Sequence, residues 1–172
     1  MHDLSLYLLE LLENSVRAEA KHVVVNFFID RASDMLRITV EDDGRGLSNS
    51  PDEVLDPFYT TKSNKKTGLG LSLLRAEAEA AGGSLTLSTR PGAGACVRVE
   101  MQLSHVDRPP FGDMVETLTV TAFTNPDVAF TVDLQGDEFR EAVSGGTVDQ
   151  VRSQLKDAAE ELERMAADQG KG

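Results

Sequence analysis

The strongest constraint in this chain is a strand that runs straight into an acidic, glycine-punctuated turn. Met35 to Glu41 alternates, with Leu36, Ile38 and Val40 on one face, and continues into Glu41-Asp42-Asp43-Gly44-Arg45-Gly46-Leu47. Two glycines so close together allow backbone conformations that other residues avoid, so the chain turns tightly here. A second glycine pair, Gly68-Leu69-Gly70-Leu71, opens a helix that runs through Ala81 and stops at Gly82-Gly83.

The elements around these turns follow from periodicity. Asp3 is a helix cap, and the helix it starts extends to about Ala20. Leu4, Leu8, Leu11, Leu12 and Ser15 fall on one of its faces. Glu10, Asn14 and Arg17 share a second face, roughly opposite. Val23 to Ile29 is β-branched and aromatic, hence a strand, joined to Met35–Glu41 by the polar connection Asp30 to Asp34. Residues 48–67 are polar and broken by Pro51 and Pro57, with an apolar anchor at Phe58-Tyr59; they read as a mobile loop. Ser84 to Thr89 and Ala95 to Leu103 form a hairpin about Pro91-Gly92-Ala93-Gly94. The order α, β, β, loop, α, β, β predicts an α+β fold, a two-layer sandwich with helices on one face of the sheet.

Arg108-Pro109-Pro110 marks a boundary, giving one domain over 1–104 and a short C-terminal α/β extension over 105–172. In that extension Phe111 to Phe123 fits either a helix or a strand, and Val128 to Leu134 reads as a strand. Val148 to Ala167 reads as an amphipathic helix, with Val148, Val151, Leu155, Leu162 and Met165 in register. It is expected to complete the core or a dimer seam.

Composition narrows the function classes. Apolar residues make up 40% of the 172, enough for a core, and no run approaches the ~20 apolar residues of a membrane helix. The N-terminus lacks the basic-then-apolar order of a signal peptide, so a soluble, cytoplasmic protein is expected. A formal net charge of −12 argues against nucleic-acid and anionic-membrane partners. Basic side chains therefore matter where they cluster, at Lys62, Lys65 and Lys66. The single cysteine, Cys96, cannot form an internal disulfide and reads as a buried strand residue.

The remaining polar residues meet the needs of a nucleotide site. Mg²⁺ keeps most of its waters and binds substrate phosphates, so one neutral oxygen such as Asn14 Oδ1 suffices. Glu10, one helical turn earlier, can orient or deprotonate an attacking water or hydroxyl. Asp42 can accept a hydrogen bond from an adenine amine, while Gly44 and Gly46 let the backbone approach base and sugar. Free N–H groups at the start of the Gly68 helix can take phosphates, with the three lysines neutralising charge as a lid closes.

These motifs, in this order, resemble those of the GHKL ATPase superfamily, whose members include histidine kinases, anti-sigma kinases, gyrase, heat-shock chaperones and mismatch-repair ATPases. Glu10-Leu-Leu-Glu-Asn14-Ser-Val-Arg17-Ala is similar to its N-box, and Asp42-Asp43-Gly44-Arg45-Gly46 and Gly68-Leu69-Gly70-Leu71 to its two glycine boxes. Asp56-Pro57-Phe58-Tyr59-Thr60-Thr61-Lys62 is similar to the lid of histidine kinases, and the resemblance covers about residues 3–104. It implies the Bergerat ATP-binding fold with ATP and Mg²⁺ as ligands. Asn14 would chelate the metal, Asp42 would read adenine, and Arg17, Lys62 and the Thr67, Gly68, Leu69, Gly70 and Leu71 segment would surround the phosphates. Glu10 occupies the general-base position of the hydrolysing and serine-phosphorylating members.

Two departures stand out. Ala95 lies where the family usually has a threonine supporting the adenine-binding acid, which predicts an affinity loss of at most about tenfold. A helical hairpin with a phosphoacceptor histidine is expected to be missing ahead of the first helix, and His2, His22 and His105 read as surface or structural residues. The leading expectation is a stand-alone kinase or nucleotide-gated regulator acting on a partner protein in trans, with a homodimer possible. The alternatives are a slow ATPase that works as a conformational switch, and a catalytically silent binding module.

Overall fold

The computed structural model of the chain describes residues 3–47, 50–56, 67–136 and 140–144, together with Glu160 and Arg164. Helix α1 (Leu4–Arg17) begins where the sequence places its cap, the Asp3 carboxylate accepting the Leu6 N–H at 3.0 Å. Its apolar stripe is buried, with Leu12 fully so. Strands β1 (His22–Asp30) and β2 (Met35–Asp42) form the expected antiparallel pair. On β1 Val23, Val25, Phe27 and Ile29 point inward, and on β2 Leu36, Ile38 and Val40 do so. This period of two puts one face of the sheet under the helices.

Helix α2 (Pro51–Leu55) corrects the expectation of an irregular loop across this stretch. Ser50 and Glu53 form a reciprocal capping box, Pro51 takes the first turn, and Leu55 is buried as its anchor. Five residues are too few to show helical periodicity, so the caps were the only legible signal. Pro57 to Lys66, including Phe58 and Tyr59, lie outside the described residues. Helix α3 (Thr67–Ala80) buries Leu71, Leu74 and Ala78. The hairpin of β3 (Ser84–Thr89) and β4 (Ala95–Gln102) adds Leu85, Leu87, Val97, Val99 and Met101 to the same core.

Residues beyond 104 extend this core. Of the two possibilities for Phe111–Phe123, the helix is realised as α4 (Met114–Thr124), capped by Asp113 and packed on α1 with Met114 and Leu118 buried. Strand β5 (Ala129–Gly136) pairs in parallel with β1, and β6 (Arg140–Ser144) pairs antiparallel with β5. The result is one six-stranded mixed sheet in the order β3-β4-β2-β1-β5-β6. Helices cover one face. The other is polar, with Arg37 bonded to Glu100 at 2.9 Å and lying over the Phe28 ring, and Asn26 bridging β1 to Asp133 on β5 at 3.1 Å. The α+β two-layer class is thus the fold observed. The Val148–Ala167 segment lies outside the described residues, except that Glu160 and Arg164 are helical and exposed.

Among the described residues no helix is long and apolar enough to cross a membrane. Cys96 is half-buried on the polar face rather than in the core, because it alternates with Val97. Burial and the neighbouring Glu41 push its thiol pKa up.

Candidate functional site

Of the predicted site residues, Glu10 and Asn14 lie on α1 and Asp42 is bonded to it through Ser15. Ser15 is buried beside Asn14, and its hydroxyl donates to Asp42 Oδ2 at 2.7 Å. The other carboxylate oxygen, Oδ1, accepts the Gly44 N–H at 2.9 Å. One turn earlier on the helix, the Glu10 carboxylate lies against Gly70 of α3, so closely that a Cβ at that position would overlap Oε2. Asn14 sits between these two contacts in sequence, and its Oδ1 is buried with no hydrogen-bond partner among the described residues. An unpaired buried oxygen costs about 1–3 kcal/mol unless something binds it.

The first glycine turn is held from both sides. The Arg45 N–H donates to the Ala18 carbonyl at 2.9 Å, and the Arg45 guanidinium donates to the Arg17 carbonyl, tying the turn to the end of α1. The Leu47 N–H donates to Thr89 Oγ1 at 2.7 Å, and the Gly92 N–H donates to the Arg45 carbonyl at 2.5 Å, tying it to the β3–β4 hairpin. Gly46 packs against the backbone of Arg90 and Gly94. Asp42 is thereby fixed at the end of β2, opposite Ala95 on β4.

Adjacent acids have separate tasks. Asp43 turns toward β1, where it accepts the His22 and Lys21 backbone N–H groups and the His22 ring at 2.9 Å. The His22 N–H and ring are the main causes holding its carboxyl down to about 2. Asp42, with its two bonds, keeps lone pairs to accept from a further donor.

Two structural details bear on the expectations from sequence. Ala95 offers no hydroxyl, yet Asp42 has one from Ser15, so the loss anticipated from the missing threonine has a replacement in place. Ser15 looked only like part of the buried stripe. The signal for it was a hydroxyl on an otherwise apolar face, where a buried O–H needs a partner. Arg17 does not share the half-buried position of Glu10 and Asn14. It is exposed and pairs with Glu13 at 3.6 Å, an i, i+4 contact on a surface where such pairs are weak. Leu71 is a core residue. Lys62, Lys65 and Lys66 lie outside the described residues, and Thr67, Gly68 and Leu69 enter as the first turn of α3.

Tyr7, one turn before Glu10, is buried on α1. Its phenol is pushed up to about 12 by burial, then by the charges of Glu77 and Glu10. The native chain therefore keeps this proton to a higher pH than the unfolded chain, which releases it near 10. Stability from Tyr7 is complete below about pH 10 and declines toward 12. Urea midpoints at pH 8, 10 and 11 are expected to fall on the alkaline side more steeply for the wild type than for Tyr7→Phe; equal slopes would refute the assignment.

Comparison with known families meets this geometry. The model for the histidine kinase-, DNA gyrase B- and HSP90-like ATPases matches residues 2–105, well over half of the chain. The chain belongs to this family. The family assignment agrees with relatives among curated proteins: the sensor histidine kinase ZraS of Escherichia coli K12 is 27% identical over 106 residues, 61% of this chain and 23% of ZraS. The sensor protein KdpD of the same strain is 32% identical over 100 residues, 55% of this chain and 11% of KdpD. The chain thus spans a quarter or less of the length of these relatives. The crystal structure of the N-terminal domain of a DNA repair protein superposes with a TM-score of 0.54 and 17% identity, covering 88% of this chain and 56% of that one. At that identity the likeness establishes the fold. Residues 2–105 are accordingly a GHKL ATPase domain of the histidine-kinase type.

Proposed function

We propose that this chain binds Mg-ATP on the α1 side of the sheet and uses it to phosphorylate or regulate a partner protein in trans. The observation that carries the proposal is the buried Asn14 Oδ1, which has no hydrogen-bond partner among the described residues and lies one residue from the Ser15 that holds Asp42. A hard cation accepts a neutral amide oxygen as a ligand, and Mg²⁺ brings phosphate oxygens with it, so Asn14 fits the metal. When bound, the metal supplies charge neutralisation to the phosphates. Asp42 accepts the adenine amine, and the first turn of α3, with the lysines at 62, 65 and 66, receives the phosphates. Residues 1–104 form the nucleotide domain in this reading, and 105–172 an extension whose described part widens the sheet. A cytoplasmic location fits the reading.

The resemblance to sensor kinases favours phosphate transfer or regulation. Glu10 favours a second reading, slow hydrolysis that drives a conformational switch. In it the water oxygen bonds to the γ-phosphorus as the β–γ bridging bond breaks, and the water's proton passes to the Glu10 carboxylate.

Calorimetric titration with ATP, with and without magnesium, tests the common core of both readings. Wild type is expected to bind, more tightly with magnesium. Asn14→Ala is expected to lose the magnesium-dependent gain while its melting temperature holds or rises, since the unpaired oxygen is gone. Absence of binding heat in the wild type, or an unchanged magnesium effect in the variant, would reject the assignment.

A further inference from the structure

Gly70 is the fourth residue of α3, where its first turn closes. Glycine in a helix costs up to about 1 kcal/mol of stability relative to alanine, so its presence asks for a reason. Its φ is not positive, which removes backbone conformation as the reason. The reason visible in the structure is space: a Cβ would overlap Oε2 of Glu10 and crowd its Cδ as well. The three nearest atoms it would meet all belong to the Glu10 carboxyl group. The obstacle is the far end of one flexible side chain. An alanine would therefore displace the Glu10 carboxylate while leaving the helix intact.

We propose that Gly70 is a positioning residue for Glu10: its absent side chain is the space in which the carboxylate stands, so α3 sets where the acid of α1 points. The consequence for function rests on the reading of Glu10 as the proton acceptor in ATP hydrolysis. Gly70 belongs to the same helix whose first turn would receive the phosphates, three residues after Thr67. The glycine at 70 thus serves the acid, whereas close approach of backbone to phosphate would be the task of Gly68.

Two measurements on the full chain separate the contact from its catalytic use. The first is the melting temperature of Gly70→Ala in the wild-type and Glu10→Ala backgrounds, without nucleotide. In Glu10→Ala the overlap is gone, and alanine's helix propensity should raise the melting temperature by roughly 2–4 °C. In the wild type that gain is expected to be smaller or reversed. Equal gains in both backgrounds would overturn the proposal, whatever the protein does with ATP. The second is steady-state ATP turnover with binding measured in parallel. Gly70→Ala is expected to lower kcat about 10- to 100-fold, toward the Glu10→Ala value, with the ATP Kd changed less than threefold and no further loss in the double variant. Melting coupling without any effect of Glu10→Ala on turnover would sink the hydrolytic role of Glu10 and leave the positioning contact standing. An additive loss in the double variant, or a Kd change as large as the kcat change, would overturn the proposal that Gly70 acts through Glu10.

Discussion

Replacing Asp42 by alanine is expected to weaken ATP binding roughly 10- to 150-fold, the worth of a hydrogen bond to a charged acceptor. The effect should be specific to the base. Inosine triphosphate carries a carbonyl where adenine carries its amine, so it cannot donate to the carboxylate. Wild type should therefore prefer ATP to inosine triphosphate, and Asp42→Ala should bind the two about equally. Ser15→Ala removes one of the two groups that hold Asp42 in place, the other being the Gly44 N–H. It is expected to cost about two- to tenfold in ATP affinity, with the base preference reduced in step. Restoring a hydroxyl from the opposite strand, by Ala95→Thr in the Ser15→Ala background, should recover part of the loss, since Ala95 pairs with Asp42 across β2 and β4. Calorimetric titration with both nucleotides reads all of these outcomes. An equal loss of ATP and inosine triphosphate in Asp42→Ala would assign Asp42 to structure alone.

The second large effect is on stability. Gly94 has φ +88°, and a Cβ there would overlap the Asp42 carbonyl oxygen and press on Asp43. Left-handed backbone costs a side-chain-bearing residue about 1–2 kcal/mol, and an overlap with backbone that cannot swing away adds about 1–3. Gly94→Ala should therefore lower the melting temperature by roughly 5–15 °C. Gly92 supplies the control. Its φ is +76°, but nothing lies within 4 Å of the position its Cβ would take. Gly92→Ala carries only the backbone cost, a few degrees. Because Gly94 packs on Asp42, the residue proposed to read the base, its alanine variant should also weaken ATP binding, whereas Gly92→Ala should not. Indistinguishable melting curves for the two variants would show that the overlap with Asp42 carries no weight.

The sequence by itself determined the local elements and the chemistry they carry. The alternation of Leu36, Ile38 and Val40, the Asp3 cap and the Gly82 stop each report a local backbone preference, which needs no partner to be read. The spacing of Glu10 and Asn14 on one helix and the acid at the end of β2 were legible for the same reason. Tertiary structure decided what depends on distant neighbours. β5 pairs in parallel with β1 while the preceding α4 packs on α1, and no residue near 129–136 announces its partner strand. The pairing of Ser15 with Asp42, 27 positions apart, converts an unremarkable helix residue into the support that Ala95 cannot give. Likewise Gly70 is an ordinary helix weakness until Glu10 is seen to need its space. Periodicity encodes which face of an element is buried; only the assembled sheet and helices settle which atoms that face will touch.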